Sequence, residues 1–260
     1  MELSVSIVAY KNYTSIEKAI KTLEQYTPST ISKKIYILDN GNTPDIKYQN
    51  IEFKQFIKKY NDIVYIDLGK NIGFGKAHNK ILSIINSKYH CIMNPDIVFK
   101  EDVFSSILRY MDLHTGVGMV IPNIVDNNGR RQLAYRNELT IFDMFTRRFC
   151  KSLFPKRFKS QTLQYKDYSK PFQVPFGQGS FLVIKSSLYK KLNGFDENFF
   201  MYMEDADLCK RVNEISKLMY YPYVSVVHKW EKGSHKNLKL FKIHVASAII
   251  YFRKWGIKLF

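Results

Sequence analysis

Leu3-Ser4-Val5-Ser6-Ile7-Val8-Ala9, Thr14-Ser15-Ile16-Glu17 and Lys34-Ile35-Tyr36-Ile37-Leu38-Asp39-Asn40-Gly41-Asn42 decide the fold class. The first segment alternates and ends in apolar residues, so it reads as a buried strand. The second is a capping-box pattern that opens a helix. Ile16, Ala19, Ile20 and Leu23 form its inward face, and Pro28 ends the region. The third is another strand, running into a polar turn. Strand, helix, strand and polar turn open a parallel α/β sheet, whose ligands are expected at the strand C-termini. Asp39 stands there. Its carboxylate can accept hydrogen bonds from a nucleobase or ribose, or serve the turn before Gly41.

Outward from this unit, residues 45–60 read as a short surface helix without function and Ile63–Leu68 as a third strand. Gly69-Lys70-Asn71-Ile72-Gly73-Phe74-Gly75 is a Gly-rich turn feeding a helix through about Ile85. Glycines at a helix N-terminus let a diphosphate approach backbone N–H groups, although the pattern is neither a P-loop nor a dinucleotide fingerprint. His78 reads as a helix-surface histidine. Tyr89–Met93 is a fourth strand, stopped by Pro95 of Asn94-Pro95-Asp96. Asp96 can hold a divalent cation against a diphosphate or cap the next helix. That helix is Asp102–Leu113, with Val103, Ile107, Leu108 and Met111 inward. Gly116–Val125 is a strand and Asp126-Asn127-Asn128-Gly129 a hairpin turn; Arg130 and Arg131 beyond it read as solvated charge or acceptor contacts. A strand follows Gly179, and Lys217–Tyr221 and Tyr223–Val227 are two short ones. His228 ends the last, where an imidazole can be structural or a metal ligand.

Gly194–Arg211 concentrates acids among aromatics. Gly194 stops the helix over Leu188–Leu192, and Phe199–Met203 is strand-like. Glu204, Asp205 and Asp207 then open a helix to about Ser216, where acids suit the positive end. Leu208, Val212 and Ile215 are its expected buried stripe. Asp205, at the junction, can act as a general base or simply cap the helix. Glu204 is read with it as functional, and Asp207 as solvated.

The 260-residue chain carries a net charge of +17. Nucleic acid, anionic lipid and phosphorylated substrates are the partner classes that suit it. Cys91, Cys150 and Cys209 are scattered, without metal-site spacing, and point to a reducing compartment. The N-terminus lacks a signal-peptide pattern. The longest nearly apolar run, Val245–Phe252, is far shorter than the ~20 residues that span a bilayer. A cytoplasmic location follows as the expectation, with attachment to a membrane surface open. Residues 140–170 mix basic and aromatic side chains, which suits an amphipathic segment on anionic lipid, single-stranded nucleic acid or a flexible loop over the active site. In the tail, Leu238, Phe241, Val245, Ala248, Phe252, Trp255 and Leu259 share helical spacing. This stripe docks on the rest of the chain or lies on the inner leaflet with Trp255 at the headgroups.

Gly194-Phe195-Asp196-Glu197-x-Phe199-Phe200-x-Tyr202-x-Glu204-Asp205-x-Asp207-Leu208-Cys209-x-Arg211 resembles the acceptor-side motif of glycosyltransferase family 2, in its rhamnosyltransferase-like branch. Asn71-x-Gly73-Phe74-x4-Asn79, Asn94-Pro95-Asp96 and His228-x5-Ser234 are similar to further motifs of that family, so the resemblance runs from Val5 to Ser234. It implies a GT-A-like (Rossmann-like) α/β fold with a mixed, mainly parallel sheet. Residues 1–235 would be one catalytic domain, with a nucleotide-sugar half (1–95) and an acceptor half (96–235), followed by a basic amphipathic helix over 236–260. It implies Asp205 as the base that deprotonates the acceptor, and a donor site of Ala9, Tyr10, Asp39, Asn71, Gly73, Phe74, Asn79, Asn94, Asp96 and Gly179. Asp96 and His228 would hold Mg²⁺ or Mn²⁺, and a Lys or Ser near His228 the diphosphate. Two positions depart from the family pattern: Ala9-Tyr10-Lys11 replaces the usual Thr-Tyr-Asn, and Asn94 replaces the first carboxylate of Asp-x-Asp. The implied reaction is inverting transfer of a sugar to a hydroxyl of a cell-surface glycan or polyprenyl-linked saccharide. Rhamnose on a dTDP or UDP carrier is the first expectation, before a UDP-hexose, a UDP-N-acetylhexosamine or galactofuranose. A family member that binds sugar nucleotides without turnover is a further possibility, hinted at by Asn94. A basic nucleic-acid-binding protein is the reading from another class; against it, the acids at 196–207 repel a phosphate backbone and no recognition motif is present.

Overall fold

The computed structural model describes residues 1–41, 47–149, 151–229 and 238–259. The first half runs β1 (Leu3–Ala9), α1 (Tyr13–Tyr26), β2 (Lys33–Asp39), α2 (Lys47–Ile57), β3 (Ile63–Asp67), α3 (Phe74–Asn79), β4 (Tyr89–Met93), β5 (Ile97–Val98), α4 (Phe104–Leu113) and β6 (Val117–Val125). The second adds β7 (Tyr135–Arg136), α5 (Ile141–Phe149), α6 (Pro155–Gln161), β8 (Phe172–Gln173), β9 (Phe176–Gly177), β10 (Phe181–Lys185), α7 (Ser186–Lys191), α8 (Glu204–Ile215), β11 (Lys217–His228) and α9 (Leu238–Trp255). Asn42, Cys150 and Ser234 lie outside the described residues.

The main sheet has the strand order β3-β2-β1-β4-β10-β6-β11-β5, with β8 added beside β11. β3, β2, β1 and β4 are mutually parallel. β10 is antiparallel to both β4 and β6, and β6 is parallel to β11. Every residue of β1 and β4 is buried, as expected of central parallel strands covered on both faces. β1 lies between β2 and β4, so the strand order reverses there, and a crevice forms beyond the C-terminal ends of β1 and β4.

Several elements differ from the sequence reading for identifiable reasons. α1 starts at Tyr13 rather than at a Thr14 cap: Asn12 precedes it, and its side chain turns back to accept the Tyr10 N–H at 2.9 Å. α3 ends at Asn79 and turns carry the chain onward. His78 is fully buried, not on the helix surface. Its Nδ1 is 2.7 Å from the Ser6 hydroxyl, which also lies 3.0 Å from Nε2 of buried His90. Phe199–Met203 is no strand; Tyr202 and Met203 have φ of 71° and 67°. Ile215 is exposed, and Leu208, Cys209 and Val212 form the buried face of α8 instead. β11 is one strand rather than two, because a register shift between Tyr221 and Ser225 accommodates Pro222.

The tail docks on the domain. Ser247 donates to the Met201 carbonyl at 2.8 Å, and the Trp255 indole N–H to Asp207 at 2.9 Å. Asp207, read as solvated, is fully buried and also pairs with Arg211 and Lys254, both at 2.8 Å. Ser247, Tyr251 and Phe252 are the buried residues of α9, whereas Leu238, Val245 and Leu259 of the expected stripe are exposed. Beyond Gly256, the carbonyls of Lys258 and Leu259 accept the first N–H groups of α5. The 140–170 stretch is thus neither a bare loop nor an isolated amphipathic segment: it forms α5 and α6, packed beside the tail.

Candidate active site

β2 delivers Asp39 to the crevice fully buried. Its Oδ2 accepts hydrogen bonds from Tyr13 at 2.7 Å, from Asn50 at 2.8 Å and from Tyr65. Its Oδ1 accepts the Gly41 N–H at 3.1 Å, so only Oδ1 retains capacity for a ligand. Burial and this carboxylate push both tyrosine hydroxyls well above their ordinary pKa. The α2 helix, expected to have no function, therefore serves the site by carrying Asn50, which braces Asp39. Ala9 is buried at the end of β1, and Tyr10 is half-exposed at the mouth of the crevice.

Asn40 and Asn71 shape the Gly-rich turn. Asn40 donates to Asn71 at 3.0 Å and to the Gly73 carbonyl at 3.2 Å, and accepts the Ile72 N–H at 2.8 Å. Gly73 has φ of +95°, and a Cβ there would lie 2.3 Å from the Phe200 carbonyl oxygen. The Phe74 N–H donates to that same carbonyl, so the turn is stapled to the loop before α8. Asn79 completes the staple: it accepts the Phe195 N–H and donates to the Phe195 carbonyl, both at 2.8 Å. Its amide is thereby used within the protein, and Asn79 positions the acidic stretch.

Asn94 follows β4, and its N–H donates to the Ser180 carbonyl at 2.8 Å. β5 then pairs with the end of β11, setting His228 opposite Ile97. The register brings His228 Nε2 within 3.3 Å of Asp96 Oδ2. His228 Nδ1 lies 3.1 Å from Gln132 Oε1, and Gln132 Nε2 donates to the His228 carbonyl at 2.7 Å. The glutamine favours the tautomer with hydrogen on Nδ1 and leaves the Nε2 lone pair facing Asp96. Asp96 Oδ1 is buried without a partner. An oxygen and an imidazole nitrogen open in this way fit a divalent cation. Among the described residues no cluster of three or more His, Cys, Asp or Glu forms, so the remaining ligands would be substrate phosphate and water. Nothing in the sequence pattern marked Gln132.

Gly179 and α8 fix the Asp205 carboxylate. The Gly179 N–H donates to Asp205 Oδ2 at 3.0 Å and the Ala206 N–H to Oδ1 at 2.9 Å. A Cβ on Gly179 would sit 2.9 Å from the Asp205 Cβ. Burial raises the pKa of Asp205, while these N–H groups and the charge of Arg147 restrain the rise. Burial, then the Asp205 charge, pushes Glu204 much further up, and its Oε2 is buried without a partner. Of the two, Glu204 has the environment that favours the neutral carboxyl, and Asp205 has the N–H donors that favour the anion.

Asp205 and Glu204 line a cavity of about 350 Å³ together with Phe74, Asn94 and Gly179. α5 and α9 wall its far side through Arg147, Arg148 and Phe241. The structure thus brings the Gly-rich turn, the residue after β4 and the acidic helix to one chamber. Asp39 lies at the end of β2, outside that lining, and Asp96 with His228 lies where β5 pairs with β11.

Rhamnosyltransferase WbbL of Escherichia coli (strain K12) is 24% identical over 245 residues, 90% of this chain and 87% of that protein. The N-acetylglucosaminyl-diphospho-decaprenol L-rhamnosyltransferase of Mycobacterium tuberculosis is 23% identical over 240 residues, covering 87% and 75%. GalNAc-T7, solved with UDP, GalNAc and Mn²⁺, superposes with a TM-score of 0.68 at 15% identity over 91% of this chain; the chain spans 44% of that one. A mannosyltransferase from Pyrobaculum calidifontis, solved with GDP-Man and Mn²⁺, gives 0.63 at 16% identity over 96% of this chain and 64% of its own. These likenesses bear out the GT-A fold. The family model for glycosyl transferase family 2 matches residues 4–192, which takes in β1 through α7, and the chain belongs to that family of glycosyltransferases.

Proposed function

We propose that this glycosyltransferase moves a rhamnosyl group, with inversion, from a dTDP- or UDP-linked donor to a hydroxyl of a saccharide carried on a polyprenyl diphosphate. The observation that carries the reading is the Asp205 carboxylate, fixed by two backbone N–H groups in the chamber that Phe74 and Asn94 share. The rhamnosyl donor and lipid-linked acceptor are supported by the two bacterial relatives. Asp205 takes the proton from the acceptor hydroxyl as that oxygen bonds to the anomeric carbon. The bond from the anomeric carbon to the diphosphate breaks, and the nucleoside diphosphate leaves. Glu204 stays protonated beside the base. Asp39, through Oδ1, orients the nucleobase, and the turn at Asn71 and Gly73 presents backbone N–H groups to the donor. Asp96 and His228 would hold Mg²⁺ or Mn²⁺, which would supply Lewis-acid stabilisation of the departing diphosphate.

No helix among the described residues is long and apolar enough to cross a membrane. We place the protein at the cytoplasmic face of an anionic membrane, where a lipid-linked acceptor resides and basic side chains of α5 and α9 meet headgroups. Asp205→Asn tests the chemistry, because a general base typically contributes ~10²–10⁴-fold. Transfer should drop within that range, while stabilisation of the protein by nucleoside diphosphate plus Mn²⁺ stays near the unmodified value. Equal loss of both would remove Asp205 from the role of base.

A further inference from the structure

The chamber over Asp205 continues outward. Met144, Arg148, Phe241 and His244 line it and also line a second groove of about 460 Å³ between α5 and α9. Beyond these four residues the groove is walled by Ile141, Phe145, Val245, Ala248, Ile249 and Phe252, among others. Phe145 is 54% exposed, Val245 43% and Ile249 48%. α9 therefore has apolar residues on two sides. Ser247 and Tyr251 hold it to the domain, and Val245 with Ile249 faces the groove.

Charge changes along this path. The inner chamber contains Arg136, Arg147 and Arg148. The Arg136 Nε is buried without a partner. No hydrogen bond or ion pair joins Arg147 to another side chain among the described residues. Asp143 also reaches the chamber, but Arg157 holds it at 2.6 Å. Arg148 thus lines both spaces, and Arg136 and Arg147 share the chamber with the Asp205 carboxylate. A neutral glycan explains neither the arginines nor the groove. A molecule with a hydroxyl at one end, a phosphate or diphosphate in the middle and a hydrocarbon chain at the other end matches all three zones in order.

We propose that the groove between α5 and α9 is the lipid subsite of the acceptor. The isoprenoid chain lies along Phe145, Val245, Ala248 and Ile249, its phosphates face Arg136 and Arg147, and the sugar hydroxyl reaches Asp205. This deepens the proposed function and rests on it. Because the arginines and Asp205 share one chamber of about 350 Å³, the accepting sugar is close to the diphosphate, not at the end of a long polymer. The groove holds the acceptor's own chain; a bulk leaflet lipid in its place is an outcome that the experiment separates.

The experiment uses the full chain in detergent micelles, without a bilayer. Two acceptors carry the same saccharide diphosphate, one on a long isoprenoid and one on a short alkyl chain. Two or more methylene groups buried in the groove should favour the long chain at least about tenfold in kcat/KM. Val245→Glu and Ile249→Glu alter half-exposed positions and should collapse that preference to below about twofold. Arg147→Ala should raise KM for both acceptors about tenfold or more, while stabilisation by nucleoside diphosphate plus Mn²⁺ persists. A long-chain preference that survives both glutamate variants overturns the subsite. So does the absence of any chain preference in the unmodified protein in micelles combined with loss of vesicle binding in the two glutamate variants, which would make the groove a bilayer anchor. Transfer to a water-soluble glycan without chain preference would sink the lipid subsite and leave the glycosyltransfer reading standing. Absence of both nucleotide stabilisation and transfer would sink the two together.

Discussion

Asp205 receives one backbone N–H on each carboxylate oxygen, from Gly179 and from Ala206. These bonds orient the group and restrain a pKa that burial raises, leaving an anion more basic than a solvated aspartate. The orientation depends on a missing side chain. Gly179→Ala places a Cβ 2.9 Å from the Asp205 Cβ, closer than unbonded carbons settle, so α8 or the β9–β10 turn must shift. A displacement of ~1 Å at a catalytic group can cost about 10²-fold. The expected result is a loss of kcat on that order, with nucleotide-induced stabilisation retained and the global unfolding temperature little changed. Unaltered kcat would show that the turn gives way without moving the base. Asp205, Asp96 and His228 stood out as candidates in the sequence because each is a reactive side chain at a junction between segments, in a motif that resembles the family's. Gln132 and Asn50 were not, since an amide that braces a functional group leaves no local pattern. Asp207 was misread for a related reason: Trp255 and Lys254, which make its burial tolerable, lie 48 and 47 residues further on. In one dimension it looks like any acid at a helix start.

Pairing β1 with β4 sets Ser4 opposite His90 and Ser6 opposite Ile92, and a polar seam results inside an apolar sheet. His90 Nδ1 is 2.7 Å from the Ser4 hydroxyl, and His78 reaches Ser6 from α3. Burial lowers the pKa of His90 to about 3 and that of His78 well below its ordinary value. In the unfolded chain both titrate near ~6.5. Below that pH the unfolded state binds more protons, so stability falls as pH falls. Glu204 works in the opposite sense, because its raised pKa lets the folded state bind a proton first. In a Glu204→Gln background, the two histidines together should remove about 3 kcal/mol between about pH 7.5 and about pH 5.5. Urea unfolding midpoints across that interval measure it, and a flat profile would mean that the seam admits protons. Elements as a class were readable where an apolar run had a single solution. β1, β2, β4 and β6 came from such runs. α9 did not, because it is apolar towards the domain and also towards the groove, and period alone cannot choose the docked side. The aromatic alternation of Phe199–Met203 imitates a strand, but its left-handed residues bend the loop over Gly73.

At the scale of the whole chain, a net charge of +17 has to be reconciled with an enzyme that also carries a buried acidic centre. Among the described residues four acids, Asp39, Asp143, Glu204 and Asp207, are buried, and no whole lysine or arginine is. Several cations lie on the two helices that frame the groove. Arg148 and Arg253 line the groove, and Lys239 and Lys242 are exposed on α9. Near an anionic leaflet each such residue contributes ~1 kcal/mol within a Debye length, so four of them would hold the protein to a surface only while salt is moderate. Sedimentation with phosphatidylglycerol vesicles should therefore recover most of the protein at about 0.1 M salt and at least about tenfold less at about 0.5 M. Neutral vesicles should recover little at either. Nucleoside diphosphate binding in the same solutions should weaken far less, because the Asp39 carboxylate proposed to hold the nucleobase is fully buried and shielded from bulk ions. Single-stranded oligonucleotide serves as the competitor: it should displace the protein from vesicles only weakly, since it carries no hydrocarbon chain to fill the apolar groove. Tight oligonucleotide binding that strips the protein from vesicles would instead assign the surface charge to nucleic acid, and the basic helices would then be a feature independent of sugar transfer.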